Sequence, residues 1–262
     1  IVSLYLTHLS KNSKISTLRR RLVSISMVHK LKGHYLDTKH PIIIENLMGI
    51  RRIKGSHQKG KKPILIRHLK SIINVINELK VDDIKKARDK SIILIGFGGG
   101  FRRTELISID YEDLEFVSEG LKIIVKRSKT DQFGEGMIKG LPHFANSIYC
   151  PVKNLQIWLE LSKIKSGPIF RRFSKGLSLT NNRLTDQSVV LLIKKYLNLA
   201  GIENKNYSGH SLRSGFATVA AEFGADERSI MATTGHKTTQ MVRRYIREAN
   251  IFKNNALDKI KI

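Results

Sequence analysis

The chain has 262 residues, 41% of them hydrophobic, and carries 47 Lys+Arg against 22 Asp+Glu, a formal net charge of +25. This length accommodates one large or two small domains with apolar cores. The charge favours a polyanionic partner, with a merely soluble basic protein as the alternative. No window has the roughly 18 consecutive apolar residues that a membrane span needs. A single cysteine, Cys150, excludes an intrachain disulfide and fits a reducing cytoplasm.

The first part of the chain is the most basic part. Residues 1–62 contain fourteen Lys+Arg and two Asp+Glu. Helical spacing predicts one helix at the start of the chain, a second capped by Ser16 and a third after Pro41. The Gly-containing basic stretch 51–63 has no apolar periodicity and predicts a linker, which places a domain boundary near residue 60. Because the chain starts without an initiator Met, we expect a trimmed or partial sequence.

The remainder predicts a mainly α fold with a small antiparallel β-sheet, an α+β domain. Two β-type runs, 121–125 and 137–141, are separated by glycines and predict the sheet. Helical patterns cover the following segments: 64–79, 82–97, 151–163, 185–200, 210–223, 226–233 and 238–247.

Three polar residue types that suit phosphate chemistry follow one another near the C-terminus. His210 and Arg213 are three positions apart at the start of a predicted helix and share a face, although a surface pair is the commoner outcome. An arginine offers a planar fork that matches two phosphate oxygens. Gly235-His236 then precedes an amphipathic helix with Tyr245, which could equally be a core aromatic. With a free pKa of about 10, a tyrosine needs nearby cations to act as a nucleophile.

Two further residues, far upstream, could supply positive charge and a proton. Arg102 follows three glycines, and Glu105, one helical turn later, can hold or orient its guanidinium. No Gly-Lys-Ser/Thr follows the glycines, so this segment is not a phosphate-binding loop. Lys129 stands at the end of a predicted strand, where it could protonate a leaving oxygen. A salt-bridged pair and a solvated turn lysine are the alternatives.

The order of these residues resembles the tyrosine recombinase (phage integrase) family. The resemblance rests on Arg-x-x-Glu, the strand lysine, His-x-x-Arg, Gly-His and a final Tyr, in the stretches GFRRTEL, RSKTDQ, HSLRSGFAT and GHKTTQMVRRY. It spans essentially the whole chain and is closest to bacterial or plasmid-borne integrases. Gly99 stands where the family often has Thr. The resemblance assigns the catalytic set to Arg102, Lys129, His210, Arg213, His236 and the nucleophile Tyr245, with Glu105 in support.

The resemblance also implies the domains and the reaction. A helical, SAM-like core-binding domain, residues 1–60 and truncated at its N-terminus, and a catalytic domain, residues 61–262, are expected to form a C-shaped clamp on double-stranded DNA. The expected reaction cleaves and rejoins DNA at specific recombination sites through a 3′-phosphotyrosine, without metal or ATP. Type IB topoisomerase activity and a catalytically idle DNA-binding remnant are the alternatives.

The expected partners and location follow from the same resemblance. The short apolar-patterned C-terminal segment is expected to exchange between the protomers of a homotetramer on DNA, in a bacterial cytoplasm. The basic side chains expected to contact DNA phosphates are Arg19, Arg20, Arg21, Arg51, Arg52, Lys54, Lys61 and Lys62.

Overall fold

The chain divides into two compact units, Ile1–Gly60 and Lys61–Ile262. The division falls at the boundary that the sequence predicts. The structure is a computed structural model and describes residues 1–55, 60–126, 136–145, 147–176 and 178–249. Most of the predicted turn with Lys129, and the C-terminal segment expected to exchange between protomers, lie outside the described residues.

The first unit consists of three helices around a small apolar core. They are α1 (Val2–Ser10), α2 (Ile15–Leu31) and α3 (Pro41–Lys54). Leu6, Leu18 and Ile43, one from each helix, are buried in this core. Asn46 of α3 contacts α1, since its side-chain amide donates to the Ser3 carbonyl at 2.7 Å. The unit therefore combines local helices with contacts between its first and third helix.

Two expectations for this unit are wrong in detail. Helix α2 begins at Ile15 with Lys14 as its N-cap, before the predicted cap at Ser16. Helix α3 continues through Lys54 to Gly55, whose φ of +72° ends the helix in a conformation that suits glycine. The basic stretch predicted as a linker therefore begins as a helix, because Ile50 is still buried in the core.

The second unit is mainly helical, as predicted. Its helices and strands are α4 (Ile66–Glu78), α5 (Asp83–Gly98), α6 (Arg103–Ser108), β1 (Leu114–Val117), β2 (Gly120–Val125), β3 (Met137–Pro142), α7 (Pro151–Ser162), β4 (Arg171–Phe173), β5 (Leu179–Arg183), α8 (Asp186–Leu199), α9 (Ser211–Glu222), α10 (Glu227–Thr234) and α11 (Thr239–Ala249). Strands β1, β2 and β3 form one antiparallel sheet in that order, and β4 pairs with β5 in a second. The second sheet corrects the prediction of a single sheet.

Helix α5 lies at the centre of this unit and is buried on nearly all sides. It packs against α7, whose Trp158 is fully buried and donates its indole N–H to the Ile169 carbonyl at 2.8 Å. Helix α9 approaches the backbone at Ile64 so closely that a Cβ on Gly215 would lie 2.2 Å from the Ile64 oxygen. This close approach places the first turn of α9, with Arg213, in the interior.

A smaller apolar cluster holds the last described helix in place. Ala217 of α9, Ile230 of α10 and Val242 of α11 are buried together. Tyr245 and Ile246, one turn further along α11, pack on the same cluster. The apolar residues of α11, whose spacing predicts an amphipathic helix, thus pack on α9 and α10. They hold α11 beside the turn that contains His236.

Candidate active site

The turn between α5 and α6 presents Arg102. Gly100 adopts a φ of +53°, and a Cβ there would lie 2.9 Å from the methyl group of Thr234, so the turn requires glycine. Arg102 forms an ion pair with Glu105, which is 1% exposed and also accepts the Arg102 backbone N–H at 3.0 Å. The predicted Arg102–Glu105 pair is therefore present. A buried carboxylate that holds an arginine from two sides fixes its direction.

Arg213 is almost fully buried, with 1% of its surface exposed. Its Nη1 donates to the carbonyls of Gly100, at 2.9 Å, and Thr234. Its Nη2 is buried and has no hydrogen-bond partner among the described residues. Burial, followed by the charge of Arg102, lowers the Arg213 pKa to about 10. The guanidinium is still charged at neutral pH, with one donor nitrogen left for an acceptor.

His236 follows Gly235 in the turn between α10 and α11 and is 5% exposed. Its Nδ1 lies 2.6 Å from the Thr234 hydroxyl, whereas its Nε2 is buried without a partner among the described residues. Burial, and then the charges of Arg213 and Arg102, lower the His236 pKa to about 3. The imidazole is therefore neutral at physiological pH.

His210 and Tyr245 meet at the exposed side of the same cluster. Nε2 of His210, the N-cap residue of α9, lies 3.2 Å from the Tyr245 hydroxyl. The Tyr245 and His236 rings have centroids 6.1 Å apart. Desolvation and the charges of Arg213 and Arg102 lower the His210 pKa. A neutral imidazole at this distance can accept the phenolic proton.

Lys139 of β3 is a neighbour of this cluster that the sequence did not single out. It is 2% exposed, and its Nζ donates to the carbonyls of Gly99, at 2.7 Å, and Thr233. Burial, followed by the charges of Arg213 and Arg102 and opposed by that of Glu105, lowers its pKa to about 7. Lys139 therefore joins the turn before Arg102 to the turn before His236.

The structure brings together five residues of the predicted catalytic set. Arg102 contacts the turn that contains His236, since its Nη2 lies 3.5 Å from the Gly235 carbonyl. Lys129, the sixth residue, lies outside the described residues. The five residues come from three parts of the chain: Arg102, His210, Arg213, His236 and Tyr245. All eight basic residues expected to bind DNA are exposed.

The described part of the chain shows neither a metal-binding cluster nor a membrane-spanning helix. No group of three or more His, Cys, Asp or Glu in this part of the chain could hold a metal ion. No helix in the same part is both long and apolar enough to cross a membrane.

Solved structures of other proteins share the fold of this chain. A Tn1549 transposon integrase fragment in complex with circular intermediate DNA superposes with a TM-score of 0.65 at 16% identity, covering 93% of this chain and 79% of that one. A XerH site-specific recombinase bound to its difH substrate gives 0.61 at 18% identity, covering 95% and 72%. At these identities the similarity shows the fold.

Two further proteins are more similar to this chain in sequence than these solved structures are. An integrase/recombinase XerD homologue of Selenomonas ruminantium is 41% identical over 259 residues, which cover 98% of this chain and 75% of that protein. Tyrosine recombinase XerD of Staphylococcus haemolyticus is 31% identical over 175 residues, covering 64% of this chain and about half, 54%, of its own length. Residues 66–250 match the phage integrase family along most of the second unit. The chain is a member of the phage integrase family.

Proposed function

We propose that the protein is a tyrosine-type site-specific recombinase that cleaves and rejoins DNA strands through a 3′-phosphotyrosine intermediate. The observation that carries this proposal is a pair of buried atoms, Arg213 Nη2 and His236 Nε2, that have no partner among the described residues and lie beside the His210–Tyr245 hydrogen bond. Buried polar atoms are ordinarily paired, and an unpaired one costs about 1–3 kcal/mol. A bound phosphodiester would offer oxygens to Arg213 Nη2 and, once Nε2 carries a proton, to His236, next to a hydroxyl nucleophile.

The proposed reaction balances with the residues of this site. The Tyr245 oxygen bonds to phosphorus, its proton passes to Nε2 of His210, and the bond from phosphorus to the 5′-oxygen breaks. Arg102 and Arg213 face the non-bridging oxygens and offset the charge that builds up in the transition state. Lys129, assigned from the sequence, protonates the departing 5′-oxygen.

We expect the reaction to need no metal and no ATP. The two guanidinium groups supply positive charge at the phosphate, as metal ions do in two-metal nucleases. The phosphotyrosine bond keeps the energy of the phosphodiester, so the reverse attack by a 5′-hydroxyl can reseal the strand.

Double-stranded DNA is the proposed partner. Eight exposed basic side chains from residues 19–62 supply phosphate contacts, and each neutralised phosphate makes affinity fall by about 0.9 log units per log unit of salt. The XerH and Tn1549 proteins were solved with DNA. We further propose a homotetramer on DNA, formed by exchange of the C-terminal segment, and a cytoplasmic, bacterial location.

Covalent capture tests the nucleophile. The full 262-residue chain is incubated with a pool of nicked DNA duplexes of randomised sequence, and adducts that survive SDS are isolated and sequenced. The wild type is expected to form adducts enriched in one sequence, whereas Tyr245→Phe should bind DNA and form none, because it lacks the attacking oxygen.

Tyr111→Phe is the matched control, since it removes an exposed hydroxyl elsewhere in the same unit. This control should form adducts like the wild type. An adduct formed by Tyr245→Phe would exclude Tyr245 as the nucleophile. Relaxation of a supercoiled plasmid without any enriched sequence would instead support a type IB topoisomerase.

A further inference from the structure

The turn that presents His236 contains a short hydrogen-bond chain. Thr234, the last residue of α10, is fully buried, and its hydroxyl lies 2.6 Å from the Ile230 carbonyl. The same hydroxyl lies 2.6 Å from Nδ1 of His236. One hydroxyl group therefore contacts both a backbone oxygen and an imidazole nitrogen.

The chemistry of these partners fixes where the protons lie. A carbonyl can only accept, so Thr234 gives its single hydroxyl proton to Ile230. The Thr234 oxygen must then accept a proton from His236, which places the imidazole N–H on Nδ1. A neutral imidazole has one N–H, so Nε2 is left as an acceptor. The low His236 pKa, caused by burial and neighbouring cations, supports a neutral ring.

We propose that Thr234 is a positioning residue that holds His236 in the Nδ1–H tautomer and leaves Nε2 as a hydrogen-bond acceptor. The hydrogen bond at one ring nitrogen of a histidine sets the proton state of the other. Nε2 of His236 is buried without a partner among the described residues, so no acceptor in this part of the chain holds a proton on Nε2.

The consequence for phosphate binding rests on the proposed function. In this tautomer, neutral His236 cannot donate to a phosphate oxygen, because both would be acceptors. Donation requires a second proton, taken from solvent onto Nε2, which turns the ring into an imidazolium. The negative charge of the phosphodiester favours this uptake by offsetting the charges of Arg102 and Arg213. Binding of the scissile phosphate is thus coupled to proton uptake by His236.

The position of Thr234 is fixed on two further sides. Its carbonyl accepts from Nη1 of Arg213, and its methyl group would lie 2.9 Å from a Cβ on Gly100. Valine would keep this methyl contact and remove only the hydroxyl, whereas serine would keep the hydroxyl. The two substitutions therefore separate the hydrogen bond from the packing.

Nuclear magnetic resonance of the full chain tests the tautomer. Two-bond ¹H–¹⁵N correlation spectra of ¹⁵N-histidine-labelled protein at pH 7 distinguish a protonated Nδ1 from a protonated Nε2, and His236→Gln identifies the signals. The wild type and Thr234→Ser should show Nδ1–H, and Thr234→Val should populate Nε2–H. A wild-type spectrum with Nε2–H overturns the proposal, even if the valine variant does not fold. An unchanged tautomer in a folded Thr234→Val overturns it as well.

Calorimetry tests the coupling. The duplex recovered by covalent capture is bound to Tyr245→Phe protein, which cannot react, in two buffers with different enthalpies of ionisation. Binding should take up more protons in the protein with Thr234 than in Thr234→Val, by up to about one proton. Without the Thr234 hydroxyl, neutral His236 can carry its N–H on Nε2 and donate to the phosphate without taking up a second proton. Equal uptake overturns the coupling. Failure to capture any duplex counts against the proposed function, whereas the tautomer is decided by resonance on the free protein.

Discussion

The candidate site has two parts that differ in how firmly the protein holds them. The floor, which we define as Glu105, Lys139, Arg213 and His236, is at most 5% exposed. Within the floor, Lys139 donates to the carbonyls of Gly99 and Thr233, and Arg213 donates to those of Gly100 and Thr234. The rim, which we define as His210 and Tyr245, lies at the exposed side, where Nε2 of His210 is 3.2 Å from the Tyr245 hydroxyl.

Under the proposed function, the difference between floor and rim matches the tasks that we assign to them. Groups that stabilise charge in a transition state work best when they are fixed in advance, because reorientation during the reaction would cost free energy. A nucleophile must instead reach the phosphorus and move as its bond forms. The floor is therefore built into the core of the second unit, whereas Tyr245 lies on α11, which is anchored by a small cluster around Val242.

Among variants that keep Tyr245, removal of a floor cation should have the largest effect. Arg213→Ala deletes a buried guanidinium whose Nη2 has no partner in the described part of the chain, and adduct formation should fall at least ~10²-fold, the scale of losing one charge-stabilising donor. Single-turnover adduct formation on captured duplex measures it. Arg103→Ala is the control, because Arg103 forms a half-exposed ion pair with Asp186 and should matter little. Near-normal adduct formation by Arg213→Ala would show that the floor does not stabilise the transition state.

Lys139→Met tests how burial of the Lys139 amine changes the free energy of unfolding with pH. The folded pKa of about 7 lies below the ordinary 10.5, so between these values the unfolded chain binds more protons than the folded one. The free energy of unfolding of the wild type relative to Lys139→Met should therefore rise with pH from 7 to 10, by at most about 1.4 kcal/mol per pH unit. Urea unfolding across this range measures it.

Lys122→Met is the control for Lys139, since it removes one exposed lysine from β2 of the same sheet. From pH 7 to 10, the free energy of unfolding of the wild type should rise more relative to Lys139→Met than relative to Lys122→Met. A difference between wild type and Lys139→Met that falls as pH rises would contradict a buried lysine with a lowered pKa.

The order of the motifs in the sequence predicted five residues that the structure brings together, although their roles stay predictions. Arg102 and Glu105 are one helical turn apart, and the expected ion pair follows from that geometry. His210 and Arg213 are also close in sequence, but the prediction of a shared face says nothing of depth: Arg213 is buried and His210 exposed. Depth depends on the approach of α9 to Ile64, which is a long-range contact.

Lys139 could not be predicted from strand hydropathy. Its neighbour Ile138 is 65% exposed, whereas Lys139 shares the buried face of β3 with Leu141. Strand alternation puts Lys139 on the same face as the apolar residues Met137 and Leu141, but a lysine is not expected to be buried unless its ammonium group has partners. Here the partners are carbonyls from two distant turns, which strand hydropathy does not show. The short strands β4 and β5 were missed for a related reason, since their polar residues, such as Asn181 and Asn182, give no β-type run.

The smallest effect is expected from an ion pair that supports the rim. Arg243 of α11 contacts Glu227 of α10 at 3.3 Å, with side chains 60% and 27% exposed. Exposed pairs contribute about 0–1 kcal/mol and are screened by salt, so Arg243→Gln should slow adduct formation less than about 5-fold. The difference from wild type should shrink when assays at low and moderate salt are compared. A loss as large as that of Arg213→Ala, independent of salt, would mean that the rim is as rigidly preorganised as the floor.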